Sequence, residues 1–314
     1  MALSIAPSEY WRGNDGSTSG GGGWSTFNVL IGTSPQLVEV LPATSLSVIM
    51  VVLAEGCPDT DPVGLKCADV RGGIFSPNIS KDVSWSAQNY SDTQPLFGLP
   101  LTSEQVLPGY QGGAEAGFDT VALDWDGESA LQSLHDQVVL GYAVPNPWVG
   151  TLGLSGRPSH MFNATTSENS LLQSLLLNNS IGGLYWAYTA GASYISPRNF
   201  GSLTLGGYDA ARVDMNSTIT VPFASDTSVD LSLAVTAITI NGVPTTTVSG
   251  LGDGLTMFID SVVPEIWLPP LACAAFESEF GLAWNDTVDM YLVNETHHAN
   301  LLSQDTNVVF ELAG

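Results

Sequence analysis

The sequence predicts an all-β protein with a few short helices. Six segments are rich in β-branched residues and are separated by clusters of Gly, Pro, Asn, Asp and Ser, which is typical of strands and turns. These segments are Phe27–Ile31, Leu37–Leu41, Ser47–Leu53, Gln137–Tyr142, Thr218–Pro222 and Ala234–Ile240. Two segments have the apolar pattern of short helices, Leu171–Leu177 and Leu271–Phe280.

Local signals place further elements along the chain. Leu3–Ala6 reads as a short first strand, and Gly13–Gly23 has the composition of a flexible connector. The run Gly20–Gly23 is either native or inserted, and the sequence is compatible with both. Asn241 and Gly242 lie between two β-branched segments, which predicts a two-residue hairpin turn.

Acidic residues dominate the charge of the 314-residue chain. Asp and Glu number 31 against 7 Lys and Arg, which gives a net charge of −24. This charge excludes a nucleic-acid partner, because phosphate binding requires Lys and Arg. The hydrophobic content of 44% excludes an intrinsically disordered chain. A surface poor in cations loses few ion pairs when its carboxylates protonate, which suits an acidic extracellular setting.

Targeting and modification signals favour a secreted protein or one on the cell surface. The longest apolar run, Val48–Ala54, has seven residues, against about 20 in a membrane-spanning helix. The chain has no recognisable signal peptide, so we expect a mature ectodomain from which the targeting segment has been removed. Seven sequons predict N-linked glycans at Asn78, Asn89, Asn163, Asn178, Asn216, Asn285 and Asn294. The alternative is chance occurrence of this pattern in a chain rich in Asn, Ser and Thr.

The three cysteines fit an oxidising compartment. Cys57 and Cys67 enclose nine residues rich in Pro, Asp and Gly, a loop that a disulfide could close. We therefore expect these two residues to be disulfide-bonded. Cys273 is left over, which indicates a reactive thiol, an intermolecular bridge or a partner cysteine outside these 314 residues.

Five segments in collinear order resemble pepsin-like aspartic proteases. They correspond to the opening strand and its turn, the strand after the flap, the hydrophobic-hydrophobic-Gly element, the passage near the lobe boundary and the second catalytic loop. In this chain they are Phe27–Gln36, Gly117–Val121, Trp148–Leu154, Gly201–Asp209 and Phe258–Ser261. The sequence that follows the second loop is similar to that of fungal secreted or cell-surface members.

The resemblance implies a bilobal all-β fold. Residues 1–23 would form an N-terminal strand and connector, 24–212 the N-terminal lobe and 213–314 part of the C-terminal lobe. The resemblance ends at Asn307–Gly314, which looks like a strand in the middle of a lobe. We therefore expect an incomplete polypeptide with a truncated second lobe.

The first catalytic loop of the family is altered in this chain. Members use two Asp residues, one from each lobe, that share a proton. Counting from the Ile-Gly-Thr turn, the first loop falls on Ala43, Thr44, Ser45 and Leu46. Ala43 stands where the family has Asp, whereas Thr44 fits the role of tying the two loops together. Ser45 and Leu46 replace the Gly and the hydroxyl residue that support the carboxylate.

The second catalytic loop retains more of the pattern. Asp260 and Ser261 match the family, while Val262 and Val263 replace its Gly and its hydroxyl residue. We expect Asp260 to be a vestigial carboxylate, kept to satisfy backbone amides of the loop. The candidate for the flap tyrosine is Tyr110, either on a shortened hairpin or as a loop-tip residue without that role.

No metal or cofactor is expected. Two adjacent histidines, His297 and His298, are candidate metal ligands, since imidazole binds transition metals. On a strand, however, adjacent side chains point to opposite faces and could not bind one ion together. No Cys or carboxylate cluster in the sequence converges near them. Trp148, Tyr185 and Trp186 are expected in the core or along a cleft wall, as is Trp267.

Two functions follow from these observations. The first is a catalytically silent pepsin homologue that binds a peptide, protein or wall ligand. The alternative is an acid-acting aspartic endopeptidase, an enzyme that hydrolyses peptide bonds with a dyad placed elsewhere or with one carboxylate.

Overall fold

The computed structural model describes most of the chain. The described residues are 1–12, 23–57, 67–80, 86–88, 114–125, 130–144, 148–160, 167–193, 195–226, 229–244, 255–263, 265–287, 290–304 and 306–313. Tyr110, sequons Asn89 and Asn163, and nearly all of the predicted connector lie outside these ranges. The chain divides into two compact units. Unit 1 is Met1–Asn216 with Asp260–Val262, and unit 2 is Ser217–Ile259 with Val263–Gly314.

Strands are the main regular elements of the described part of unit 1. They are β1 (Leu3–Ile5), β2 (Pro7–Arg12), β3 (Trp24–Ile31), β4 (Gln36–Ala43), β5 (Ile49–Val52), β6 (Ser86–Gln88), β7 (Ala114–Trp125), β8 (Ala130–Tyr142), β9 (Gly150–Gly153), β10 (Trp186–Thr189) and β11 (Ser202–Leu205). The two α-helices described in this unit are α1 (Cys67–Val70) and α2 (Leu171–Leu177), and short 3-10 turns lie at Ala54–Gly56, Pro77–Ile79 and Ala210–Arg212. The predicted all-β class is confirmed.

Eight of these strands form one sheet in the order β2-β3-β4-β9-β5-β8-β7-β6. Because β3 also pairs with β7, the strands from β3 through β4, β9, β5 and β8 to β7 close into a ring. Successive side chains on a strand point to opposite faces, so every second residue of β3 can fill the interior of the ring. Phe27, Val29 and Ile31 occupy such positions and are fully buried. A separate sheet has the order β1-β11-β10.

Strand β9 passes between β4 and β5 and pairs with both. It runs parallel to β4, with Ala43 opposite Gly153, and antiparallel to β5. The close approach of this strand explains its glycine. A Cβ atom on Gly153 would lie 2.5 Å from the Val48 carbonyl oxygen and 2.8 Å from that of Leu46.

Helix α2 forms as predicted and covers part of the unit 1 core. Ser170 caps its N-terminus, accepting a hydrogen bond from the Gln173 amide while the Gln173 side chain accepts one from the Ser170 amide. Leu171, Leu172 and Leu175 recur at helical spacing and are buried in the main apolar cluster.

Unit 2 carries a four-stranded sheet and two helices among its described residues. Its elements are β12 (Ser232–Ile240), β13 (Val243–Pro244), β14 (Leu255–Phe258), α3 (Pro270–Phe280), β15 (Ala283–Asn285), β16 (Met290–Leu292), α4 (Glu295–Ser303) and β17 (Val308–Leu312). Strand β12 pairs with β13, β14 and β17. The predicted hairpin turn joins β12 to β13, with Asn241 at φ 51° and Gly242 at φ 77°.

Two local predictions are wrong. Thr218–Pro222 forms no strand in the structure, and its side chains are exposed. Its β-branched residues therefore lie in an exposed segment outside any sheet. His297 and His298 lie on helix α4 and not on a strand. Asn294 caps that helix by accepting a hydrogen bond from the His297 amide at 2.8 Å.

The disulfide prediction is confirmed. Cys57 and Cys67 are bonded, with their Cα atoms 5.4 Å apart. Cys273, half-buried on α3, is a free thiol. Among the described residues, no helix is both long and apolar enough to span a membrane.

Candidate functional site

The structure brings the loop after β4 into contact with the segment Asp260–Val262. The Thr44 amide donates a hydrogen bond to Ser261 Oγ at 3.1 Å, and the Ser261 amide donates one to Thr44 Oγ1 at 3.1 Å. The Ser261 hydroxyl in turn donates to the Pro42 carbonyl. A hydroxyl can donate once and accept in addition, so Ser261 uses both capacities to tie the two segments.

Asp260 is the carboxylate at this junction. Its Oδ1 accepts a hydrogen bond from the Val262 amide at 2.9 Å, and its Oδ2 accepts one from Ser45 Oγ at 3.1 Å. Each oxygen therefore has a donor, one from its own segment and one from the opposite loop. The side chain is half-buried, so the donors fix its orientation while part of its surface stays accessible.

The position opposite Asp260 in the sequence resemblance is Ala43, and it is part of the core. Ala43 is 0% exposed, Leu46 4% and Val262 9%. All three belong to one apolar cluster, whose other buried members are Val48, Met50, Val52, Val138, Leu140, Tyr142 and Val144. The two loops thus meet over packed apolar side chains at the positions where the family has polar support.

Strand β9 and its extension fix the backbone of the first loop. The Leu154 amide donates to the Ala43 carbonyl at 2.9 Å, and the Ser155 amide donates to the Leu46 carbonyl at 2.8 Å. These bonds anchor both ends of the loop, and the absence of a side chain on Gly153 permits the approach. The loop is therefore held rigidly whether or not it carries a carboxylate.

Arg71 supports the cluster from the side of the disulfide. It is 2% exposed and donates to the carbonyl oxygens of Trp148, Gly56 and Val144 at 2.8–2.9 Å. Burial lowers the pKa of Arg71, an effect opposed by Tyr142. Burial also raises the pKa of Tyr142 above its ordinary value. This arginine satisfies three carbonyls and has a structural role.

A second buried polar network joins β2, β3 and β4. Arg12 forms an ion pair with Glu39, with Nε to Oε2 at 2.8 Å, and Thr26 Oγ1 donates to the same oxygen at 2.7 Å. The hydrogen bond to Glu39 raises the pKa of Arg12. The network is self-contained, so we assign it to the stability of the sheet.

Asp119, in the segment that resembles the strand after the flap, is also internally satisfied. It is 3% exposed. Its Oδ1 accepts hydrogen bonds from Ser80 Oγ at 3.0 Å and from the Thr120 amide at 2.8 Å. Ser80 Oγ also accepts one from the Thr33 amide at 3.1 Å. These bonds connect β7 to the turn after β3.

The remaining predicted residues are spread over the surface and the core. Three of them are half-buried, namely Val263, Trp148 and Trp186. Tyr185 and Trp267 are exposed. Exposed sequon residues are Asn78, Asn178, Asn216 and Asn294, and Asn285 is half-buried. Across the residues described, no group of three or more His, Cys, Asp or Glu side chains is arranged to hold a metal ion.

Sequence reasoning missed the role of Ser45. The resemblance identifies Ser45 only as a residue that replaces a loop glycine. In the structure its hydroxyl donates a hydrogen bond to Asp260. The signal was a hydroxyl residue in a loop expected to face a carboxylate. Arg198 and Arg212, which flank β11 and line one cleft, were also missed, because no sequence motif marks them.

No family model matches the chain, and no curated protein matches it by sequence.

Proposed function

We propose that this protein is a catalytically silent relative of the pepsin-like aspartic proteases, acting by binding rather than by hydrolysis. Its ligand would be a peptide, protein or wall component. The observation that carries the proposal is the junction of two tied loops with a single carboxylate. Thr44 and Ser261 exchange hydrogen bonds there, Asp260 provides the carboxylate, and Ala43 fills the opposing position.

The chemistry of peptide hydrolysis explains why this arrangement supports a silent site. The reaction needs one carboxylate to activate water and a second acid to polarise the scissile carbonyl. The loop opposite Asp260 contains no Asp or Glu between Val40 and Glu55. Asp260 therefore has no partner in that loop with which to share a proton. Its two oxygens instead accept bonds from Ser45 and Val262.

The proposed setting is extracellular. The disulfide between Cys57 and Cys67 fits an oxidising compartment. Four of the described sequon residues are exposed, as glycan attachment requires. We propose a secreted or cell-surface glycoprotein on these two grounds.

Hydrolysis of a fluorogenic peptide library from about pH 2 to 6 tests the proposal, since family members act in acid. The wild type and Asp260→Asn are compared, each with and without a transition-state inhibitor of the family. We expect the same background rate in all four samples. Turnover by the wild type that the inhibitor blocks and Asp260→Asn abolishes would instead establish the acid endopeptidase.

A binding measurement with the same library separates a binding protein from an inert one. We expect a subset of peptides to bind the wild type at acidic pH and to remain intact after recovery. Ser45→Ala is the matched variant, because it removes one donor to Asp260 and leaves the carboxylate in place. An absence of binding by every library peptide and by wall polysaccharide would contradict the proposed function.

A further inference from the structure

An open cleft of about 740 Å³ lies in unit 1 and is lined by residues 4–7, by β11 and by segments on either side of β11. None of its lining residues belongs to the junction of Thr44 and Ser261. Clefts of roughly 300–1,000 Å³ are typical of sites for small ligands. Its size therefore suits a small molecule or a short piece of a chain.

Two arginines line this cleft, Arg198 and Arg212. They are two of only seven Lys and Arg residues in a chain of net charge −24. The other described arginines lie elsewhere: Arg12 pairs with Glu39, Arg71 is buried among carbonyls, and Arg157 is exposed away from the cleft. Cations are thus concentrated in a cleft of a protein that otherwise has few.

One acidic side chain shares the cleft with the two arginines. Asp209 lies 3.4 Å from Arg212, measured from Oδ2 to Nε, and both side chains are about half exposed. That distance exceeds the roughly 2.7–2.9 Å of a strong charge-assisted hydrogen bond. Among the described residues of the lining, two are arginines and one is an aspartate. A ligand carboxylate can therefore compete with Asp209 for Arg212.

Neutral polar groups complete the lining. Ser4 and Thr204 lie on neighbouring strands, and their hydroxyls are 3.2 Å apart in a hydrogen bond. Ser202 and Asn199 also line the cleft. Hydroxyl and amide groups of this kind accept and donate hydrogen bonds to an oxygen-rich ligand.

We propose that this cleft binds a carboxylate-bearing ligand, held by Arg198 and Arg212. The guanidinium fork matches the planar geometry of a carboxylate and binds it through paired hydrogen bonds. Remote acidic residues oppose binding only weakly at physiological salt, because the screening length is about 8 Å. The carboxylate belongs to a free organic acid or to an acidic peptide, two sources of one chemistry.

Calorimetric titration with citrate and with a triglutamate peptide tests this inference and distinguishes the two sources. The variants Arg198→Ala and Arg212→Ala are compared with Arg157→Ala, which removes the same charge from an exposed position outside the cleft. We expect a loss of about tenfold or more in affinity for each cleft variant. We expect less than about a twofold change for Arg157→Ala.

A further variant tests the competition within the cleft. Asp209→Asn removes the internal carboxylate, so it should bind the same probe several-fold more tightly than the wild type. If all three arginine variants lost the same affinity for the probe, net charge alone would explain the loss, and the inference would be overturned. So would the absence of binding by either probe at about 10 mM. Tighter binding of citrate identifies a free acid as the source, and tighter binding of triglutamate identifies a peptide.

Discussion

The loop Ala43–Leu46 and the segment Asp260–Val262 meet through one pair of hydrogen bonds but carry different chemistry. The segment presents a half-buried carboxylate with a donor for each oxygen. The loop presents buried apolar side chains at its first and last positions. The bonds between Thr44 and Ser261 involve no carboxylate, so the two segments are tied together without an acid-base pair.

Burial explains why one of the two positions tolerates a carboxylate and the other does not. Asp260 retains access to solvent and receives two hydrogen bonds, which offset the loss of hydration. Ala43 is 0% exposed within an apolar cluster. A carboxylate there would be desolvated, and the neighbouring Leu46 could offer it no hydrogen bond. The two segments therefore differ in their surroundings as well as in the side chain at these positions.

The largest predicted effect comes from restoring a hydroxyl to the loop. Leu46→Ser should lower the free energy of unfolding by about 4 kcal/mol, since it empties part of the apolar cluster and buries a hydroxyl there. Ser45→Ala is the matched control on the adjacent residue. It removes one hydrogen bond to Asp260 at a half-buried position and should cost about 1 kcal/mol. Urea denaturation measures both, and equal costs would contradict the contrast between the loops.

A smaller loss is expected when β9 is pushed away from the loop. Gly153→Ala should cost about 3 kcal/mol, because its Cβ would meet backbone atoms of Val48 and Leu46 at 2.5–2.8 Å. Gly242→Ala provides the comparison, since that glycine has open space around it and a positive φ of 77°. It should cost only about 1 kcal/mol of backbone strain. If Gly153→Ala lost no more unfolding free energy than Gly242→Ala, the loop would be shown to move away from the added methyl group.

Most strands of the ring could be predicted from local sequence. Phe27–Ile31 and Leu37–Leu41 lie within β3 and β4, since β-branched runs bounded by turn residues are typical of buried strands. Thr218–Pro222 has the same composition but is exposed and lies outside any sheet, so composition alone does not separate the two cases. Helix α4 was missed because it has little apolar periodicity and depends on its cap, Asn294.

The junction depends on contacts that local patterns do not contain. Thr44 and Ser261 are separated by 217 positions, so only the resemblance to a known family placed them together in advance. That resemblance led to Ala43 and Asp260 but treated Ser45 as a lost glycine. The hydrogen bond from Ser45 to Asp260 depends on how the two backbones approach, which the sequence does not specify.

Alkaline pH should weaken the cores around buried tyrosines. Burial raises the pKa of Tyr188 to about 12 and raises that of Tyr142, a member of the Ala43 cluster. The unfolded chain ionises near pH 10, so the folded state holds more protons above that pH and loses stability. For Tyr188 alone, the loss should be about 1 kcal/mol at pH 11 relative to pH 9.

Two phenylalanine variants isolate this effect. Tyr188→Phe should reduce the loss of unfolding free energy between pH 9 and 11, whereas Tyr185→Phe, at an exposed tyrosine, should leave it unchanged. The measurement is urea denaturation at each pH. An identical alkaline loss in both variants would contradict a contribution from burial of Tyr188.

The most direct test of the contrast between the two loops is to add the missing carboxylate alone. Ala43→Asp is assayed against the fluorogenic peptide library from about pH 2 to 6, with the family inhibitor and with Ala43→Ser as the matched variant. Near-ultraviolet circular dichroism confirms that each protein is folded. We predict no turnover above that of the wild type, because Leu46, Val262 and their apolar neighbours cannot support an ionised pair. Inhibitor-sensitive turnover by folded Ala43→Asp would contradict this and show that only one side chain separates the junction from a working protease.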